Sequence, residues 1–127
     1  MSPRLLPVLL CSALIAAGCG DDSGGDSASP PSDLTVKMIE YEFEPRSVTV
    51  DPGATIRVTN EGEIAHNLKI ERGPDPKVET QELAGTDSFL PGDAETFDVA
   101  LPRGRYAMVC TVPGHRDLGM TGKLRVR

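Results

Sequence analysis

From Leu34 to Val126 the apolar residues recur at every second position, in short runs. Leu34, Val36 and Met38 alternate with polar neighbours, and so do Tyr41 and Phe43, Val48 and Val50, and Ile56 and Val58. Leu68 and Ile70, Phe97 and Val99, Tyr106 and Met108, and Leu124 and Val126 continue the pattern. Strands send successive side chains to opposite faces, so a period of two marks strands with one face on a core. Residues that turn the chain separate the runs: Glu44-Pro45, Asp51-Pro52-Gly53, Asn60-Glu61-Gly62, Gly73-Pro74, Pro91-Gly92-Asp93, Pro102-Arg103-Gly104 and Pro113-Gly114. About seven or eight short strands at this spacing predict an all-β, single-domain fold, an antiparallel Greek-key β-sandwich. Residues 72–88 break the alternation and are expected to form a loop, with a short helix across residues 77–84 (KVETQELA).

The chain ahead of Leu34 has a different character. Residues 1–18 read as a signal peptide of lipoprotein type: Arg4 is the only charge, residues 5–17 are an apolar core, and the small Ala17 and Gly18 precede Cys19. The apolar run is short for a bilayer span, which disfavours a retained anchor helix. The stretch AAGC resembles the lipobox of bacterial lipoproteins, which implies that Cys19 is acylated and becomes the mature N-terminus. An ordinary cleaved signal followed by a chance cysteine is the other reading. Apart from Ala28, residues 20–33 are Gly, Ser, Pro and Asp, so residues 19–33 are expected to be a disordered tether reaching about 20 Å on average. The folded domain is then 34–127, exported and lipid-anchored to a membrane, facing the periplasm or the extracellular side.

Composition changes this picture at one point. Cys11 leaves with the signal and Cys19 is expected to carry lipid, so Cys110 is alone in the mature domain. Exported domains usually pair their cysteines, so a lone thiol is either an inert core residue or a metal-bound thiolate. Charge excludes more than it identifies. Residues 33–100 carry 15 Asp/Glu against 6 Lys/Arg, and residues 101–127 carry 1 against 6. No basic run with interleaved aromatics exists, so nucleic acid is not an expected partner; the acidic majority reads as solubility or as a docking surface.

The candidate chemistry lies in residues 106–126, YAMVCTVPGHRDLGMTGKLRV, where Cys110, His115 and Met120 are evenly spaced. The chain has only two histidines, and the other, His66, lies in EIAHNLKIE at the start of a strand-like run. Taken singly these are a surface histidine, a buried thiol and a core methionine; together they are a donor set. Two imidazoles and one thiolate with a weak thioether suit copper in both of its common oxidation states. A strand ending in Cys, a turn at Pro113-Gly114 that returns a His, and a second turn at Leu118-Gly119 before Met would supply three of the four donors.

This stretch resembles the cupredoxin family of type 1 (blue) copper proteins, in the order Cys, His, Met within one loop and an upstream His-Asn. The spacing C-x4-H-x4-M is most similar to rusticyanin- and auracyanin-type copper loops. The resemblance implies one copper per chain, with His66, Cys110 and His115 as equatorial ligands and Met120 as the axial one. It further implies that Asn67 ties the ligand loops together with Thr111 as its hydroxyl partner, and that the Asn67 backbone N–H donates to the cysteine sulfur. Electrons would pass through His115, with Pro113, Gly114 and Leu118 forming a docking patch and Arg116 and Asp117 at its rim.

The resulting expectation is a monomeric one-electron carrier that cycles between Cu(I) and Cu(II) at the outer face of a membrane, with redox proteins as partners. An enzyme is not expected, because no histidine remains for a second metal centre and four protein donors leave no open position. The alternatives are a surface copper-storage or copper-delivery protein and a metal-free β-sandwich module in which Cys110 is core.

Overall fold

A computed structural model describes residues 34–127; the expected signal peptide 1–18, the tether 19–33 and Cys19 lie outside the described residues. Nine strands follow one another: β1 (Leu34–Ile39), β2 (Glu42–Glu44), β3 (Ser47–Val50), β4 (Thr55–Asn60), β5 (Lys69–Glu71), β6 (Glu82–Gly85), β7 (Ala94–Asp98), β8 (Gly104–Val109) and β9 (Thr121–Val126). They form two sheets, one in the order β2-β1-β4-β7 and the other β3-β9-β8-β5-β6. The period-two residues face the space between them. Val36, Met38, Phe43, Ile56, Val58, Leu68, Ile70 and Met108 are fully buried there, with Leu124 and Val126 nearly so. β8 differs, since Tyr106 through Cys110 are all buried and the strand is covered on both faces.

The sandwich is as the alternation predicts, but its sheets are mixed rather than wholly antiparallel. β1 pairs in parallel with β4, Leu34 opposite Ile56, and β3 pairs in parallel with β9, Ser47 opposite Lys123. The reason lies at Pro45. A proline has no N–H for the ladder, so the hairpin of β1 and β2 ends there and the chain crosses to the other sheet. When it returns as β4 it runs in the direction of β1. The same interruption divides residues 41–50 into two strands.

The expected helix across residues 77–84 does not form. Its first half is a turn, with Lys77 N–H donating to Asp75 Oδ1 and Val78 N–H to the Asp75 carbonyl. Its second half belongs to β6, which pairs with β5. Tertiary bonds override the local helical preference: Thr80 N–H donates to buried Glu71, Gly73 N–H to the Thr80 hydroxyl, and the Arg72 guanidinium to the Gln81 side chain. Gly85 closes β6 at φ 132°, where a β-carbon would collide with the Leu68 carbonyl.

Candidate metal centre

Two segments from different sheets meet at one end of the sandwich. The first follows β4. The Asn60 side chain is almost wholly buried and clamps the loop, donating to the carbonyls of Ile64 (2.9 Å) and Phe89 (3.0 Å) while accepting the Gly62 N–H (3.0 Å). His66 then exchanges backbone hydrogen bonds with Phe89. These contacts satisfy the polar backbone where regular pairing stops.

The second segment follows β8. Cys110 N–H donates to the Met120 carbonyl (3.1 Å), Met120 N–H to the His115 carbonyl (3.0 Å), and His115 N–H to the Val112 carbonyl (3.0 Å). The loop is therefore closed on itself before β9 begins, and Gly114 and Gly119 take the positive φ angles of 84° and 96° that its turns need. The two segments are joined by Asn67 and Thr111. Asn67 Nδ2 donates to the Thr111 hydroxyl and Asn67 Oδ1 accepts the Thr111 N–H, both at 2.8 Å.

The result is a convergence of donor atoms. His66 Nδ1 lies 3.2 Å from His115 Nδ1, and Cys110 Sγ lies 3.4 Å from the same nitrogen. The donor atoms of the three residues all lie within 4.8 Å of one another. Cys110 and His66 are fully buried and His115 is 6% exposed. Met120, also fully buried, is joined to Cys110 and His115 through its backbone hydrogen bonds. Atoms bound about 2.0–2.3 Å from one ion, at angles near those of a trigonal or tetrahedral site, stand roughly 3.3–3.8 Å apart. The two separations to His115 Nδ1 lie close to this range, and the mixture of imidazole and thiolate is the set that copper favours. The residues present fit a copper ion.

Electrostatics follow from burial. Burial pushes the Cys110 thiol above its ordinary value, and the backbone N–H groups of Asn67 and Val112 pull partly against it. Burial also pushes His115 down, helped by His66 beside it and opposed by the charge of Glu40. Glu40 is held down to about 2, first by the Glu63 N–H and then by His66.

Glu40 and Tyr41 are site residues that the sequence reading did not single out. Glu40 Oε1 lies 3.0 Å from His66 Nε2, and the Tyr41 ring stands edge-on to His115 with centroids 5.0 Å apart. Both follow directly on β1, whose alternation marks the core but carries no signal linking it to a histidine two dozen residues away. Arg116 is a correction: it does not sit at a free rim. Its guanidinium grips Glu71, which is only 1% exposed, and also donates to the Pro76 carbonyl (3.1 Å). Pro113, Gly114, Asp117 and Leu118 are exposed on the surface beside His115.

Comparison with known proteins agrees with this geometry. The profile described as "Copper binding proteins, plastocyanin/azurin family" matches residues 32–127. The copper-resistant cuproprotein CopI of Rubrivivax gelatinosus is 28% identical over the full length of both chains. The chloroplastic plastocyanin of Chlamydomonas reinhardtii is 29% identical over 101 residues, 76% of this chain and 68% of that one. Among solved structures, the reduced auracyanin of Roseiflexus castenholzii superposes with a TM-score of 0.67 at 23% identity, covering 75% of this chain and 96% of its own.

Proposed function

Because this chain belongs to the plastocyanin/azurin family of copper binding proteins, whose cofactor is copper, we propose that it is a one-electron carrier with a type 1 site made of His66, Cys110, His115 and Met120. The observation that carries this reading is the convergence of two imidazole nitrogens and one thiol in a buried pocket. Copper held there supplies a couple between Cu(I) and Cu(II).

The chain's own part is to keep that pocket the same in both states. The Asn67–Thr111 pair locks the His66 segment to the Cys110 segment, and the backbone bonds among Cys110, His115 and Met120 fix the loop. Burial excludes water, which limits the rearrangement that each electron transfer would otherwise require. Both histidines of the chain are committed to this pocket, so no imidazole is left to build a second, substrate-binding centre. That absence supports a carrier over an oxidase or reductase.

His115 is the exit, being nearer the surface than His66. Pro113, Gly114 and Leu118 form an apolar docking patch around it, and the exposed Ile64 and Leu90 extend the patch from the His66 side. The redox partners meet this end of the sandwich. The opposite pole carries Leu34, because β1 and β4 run in parallel from Leu34 and Ile56 towards the site. A lipid on Cys19 would therefore tether the chain, exported and facing the periplasm or the exterior, by the end remote from the copper.

Copper protection is the second reading, favoured by the full-length likeness to a copper-resistant cuproprotein. Repeated oxidation and reduction in the presence of a Cu(I) chelator separates the two. A carrier gives one reversible one-electron wave and keeps its copper; loss of the metal to the chelator within the first cycles would favour handling over electron transfer.

A further inference from the structure

Glu40 lies against the buried face of His66, and its contacts are unusually directional. Its Oε1 receives the N–H of Glu63 (2.7 Å) and of Ile64 (3.2 Å) as well as the bond with His66 Nε2 (3.0 Å). The loop leaves room for it, since a β-carbon on Gly62 would run into the carboxylate. We propose that Glu40 is a positioning residue for the copper site: it fixes the His66 tautomer that presents a bare Nδ1, and its charge biases the couple towards Cu(II). The second half of this proposal rests on the copper-carrier reading above.

The first half follows from hydrogen-bond roles. An oxygen already taking two backbone N–H groups is an acceptor, so the imidazole nitrogen facing it must be the donor. A neutral imidazole with its proton on Nε2 has a lone pair on Nδ1. That is the atom 3.2 Å from His115 Nδ1. Without Glu40, the fully buried His66 would have no acceptor at Nε2 among these contacts. Its proton would move to Nδ1 and be shared with His115, which closes both donor atoms against a metal. The carboxylate thus keeps two ligands open by occupying the far side of one.

The second half follows from charge. A carboxylate behind a ligating imidazole raises the basicity of the ligand, which favours the more highly charged metal state. The Glu40 side chain is 31% exposed, so solvent screens the effect and it should be moderate.

Two variants of the exported chain test the two halves. Glu40→Gln keeps an acceptor for His66 and for both backbone N–H groups but removes the charge; Glu40→Leu removes both. Nitrogen NMR of the His66 ring in the metal-free chain should find the proton on Nε2 in the parent and in Glu40→Gln, and shifted to Nδ1 in Glu40→Leu. Potentiometry of copper-loaded Glu40→Gln should show Cu(I) favoured by roughly tenfold, 59 mV for a one-electron couple. An unchanged tautomer in Glu40→Leu overturns the positioning role, and a Cu(I)/Cu(II) equilibrium shifted less than twofold from the parent's, or shifted towards Cu(II), overturns the charge role. Failure of the parent to form a thiolate-bound copper would remove the charge half with the carrier reading, while the metal-free tautomer still decides the positioning half.

Discussion

At the scale of single residues, the site is prepared for its metal before the metal arrives. Burial keeps His115 below the ordinary histidine range, so at neutral pH its imidazole is uncharged. Cys110 is pushed the other way and enters as a thiol. Loading therefore releases a proton from sulfur but needs none from this imidazole. That His66, Cys110 and His115 belong together was legible in the sequence, because two histidines and one cysteine among the described residues leave few combinations. Glu40 was not, since nothing in spacing relates a strand end to a distant imidazole; only the folded loop from Glu61 to Ala65 brings them together. Leu118 belongs to this scale as well. It is 59% exposed beside His115, and Leu118→Asp is expected to slow electron transfer to a native redox partner at least tenfold, about 1.4 kcal/mol of encounter and activation free energy, with the potential unchanged. Transfer at the parent rate, measured by stopped flow, would remove the apolar patch from the account.

At the scale of elements, the copper loop is held by more than its own hydrogen bonds. Arg116 leaves the loop next to His115 and binds Glu71 on β5, while Glu71 also accepts the Thr80 N–H from the segment before β6. Three pieces of chain are pinned at one buried carboxylate. Removing the cation alone strands that charge, so Arg116→Met should lower stability by about 3 kcal/mol in denaturant unfolding of the metal-free chain. Pairing it with Glu71→Leu should recover much of the loss. A single variant as stable as the parent would show that the pair is not structural. The strands themselves were legible, since alternation encodes which residues face inward. Strand direction was not, because the same alternation serves parallel and antiparallel pairs alike. The segment 77–84 misled for a related reason: its helix-forming residues lack partners in isolation, whereas Glu71, Gly73 and Arg72 supply them in the fold.

At the scale of the whole molecule, the two poles have different work. One carries His66, Cys110, His115 and Met120 under a partly apolar surface; the other carries Leu34, the first described residue. If the anchor is as proposed, Cys19→Ser moves the mature protein from the membrane fraction to the soluble fraction without altering its copper site; a protein that stays with the membrane would require another attachment. The central claim, that Cys110 binds copper together with the two histidines, is tested most directly by the visible and EPR spectra of the chain with one equivalent of Cu(II). An intense blue or green thiolate-to-copper band with narrow hyperfine splitting, abolished by Cys110→Ser, is the predicted result. A pale complex with wide splitting, the same in Cys110→Ser, would contradict it.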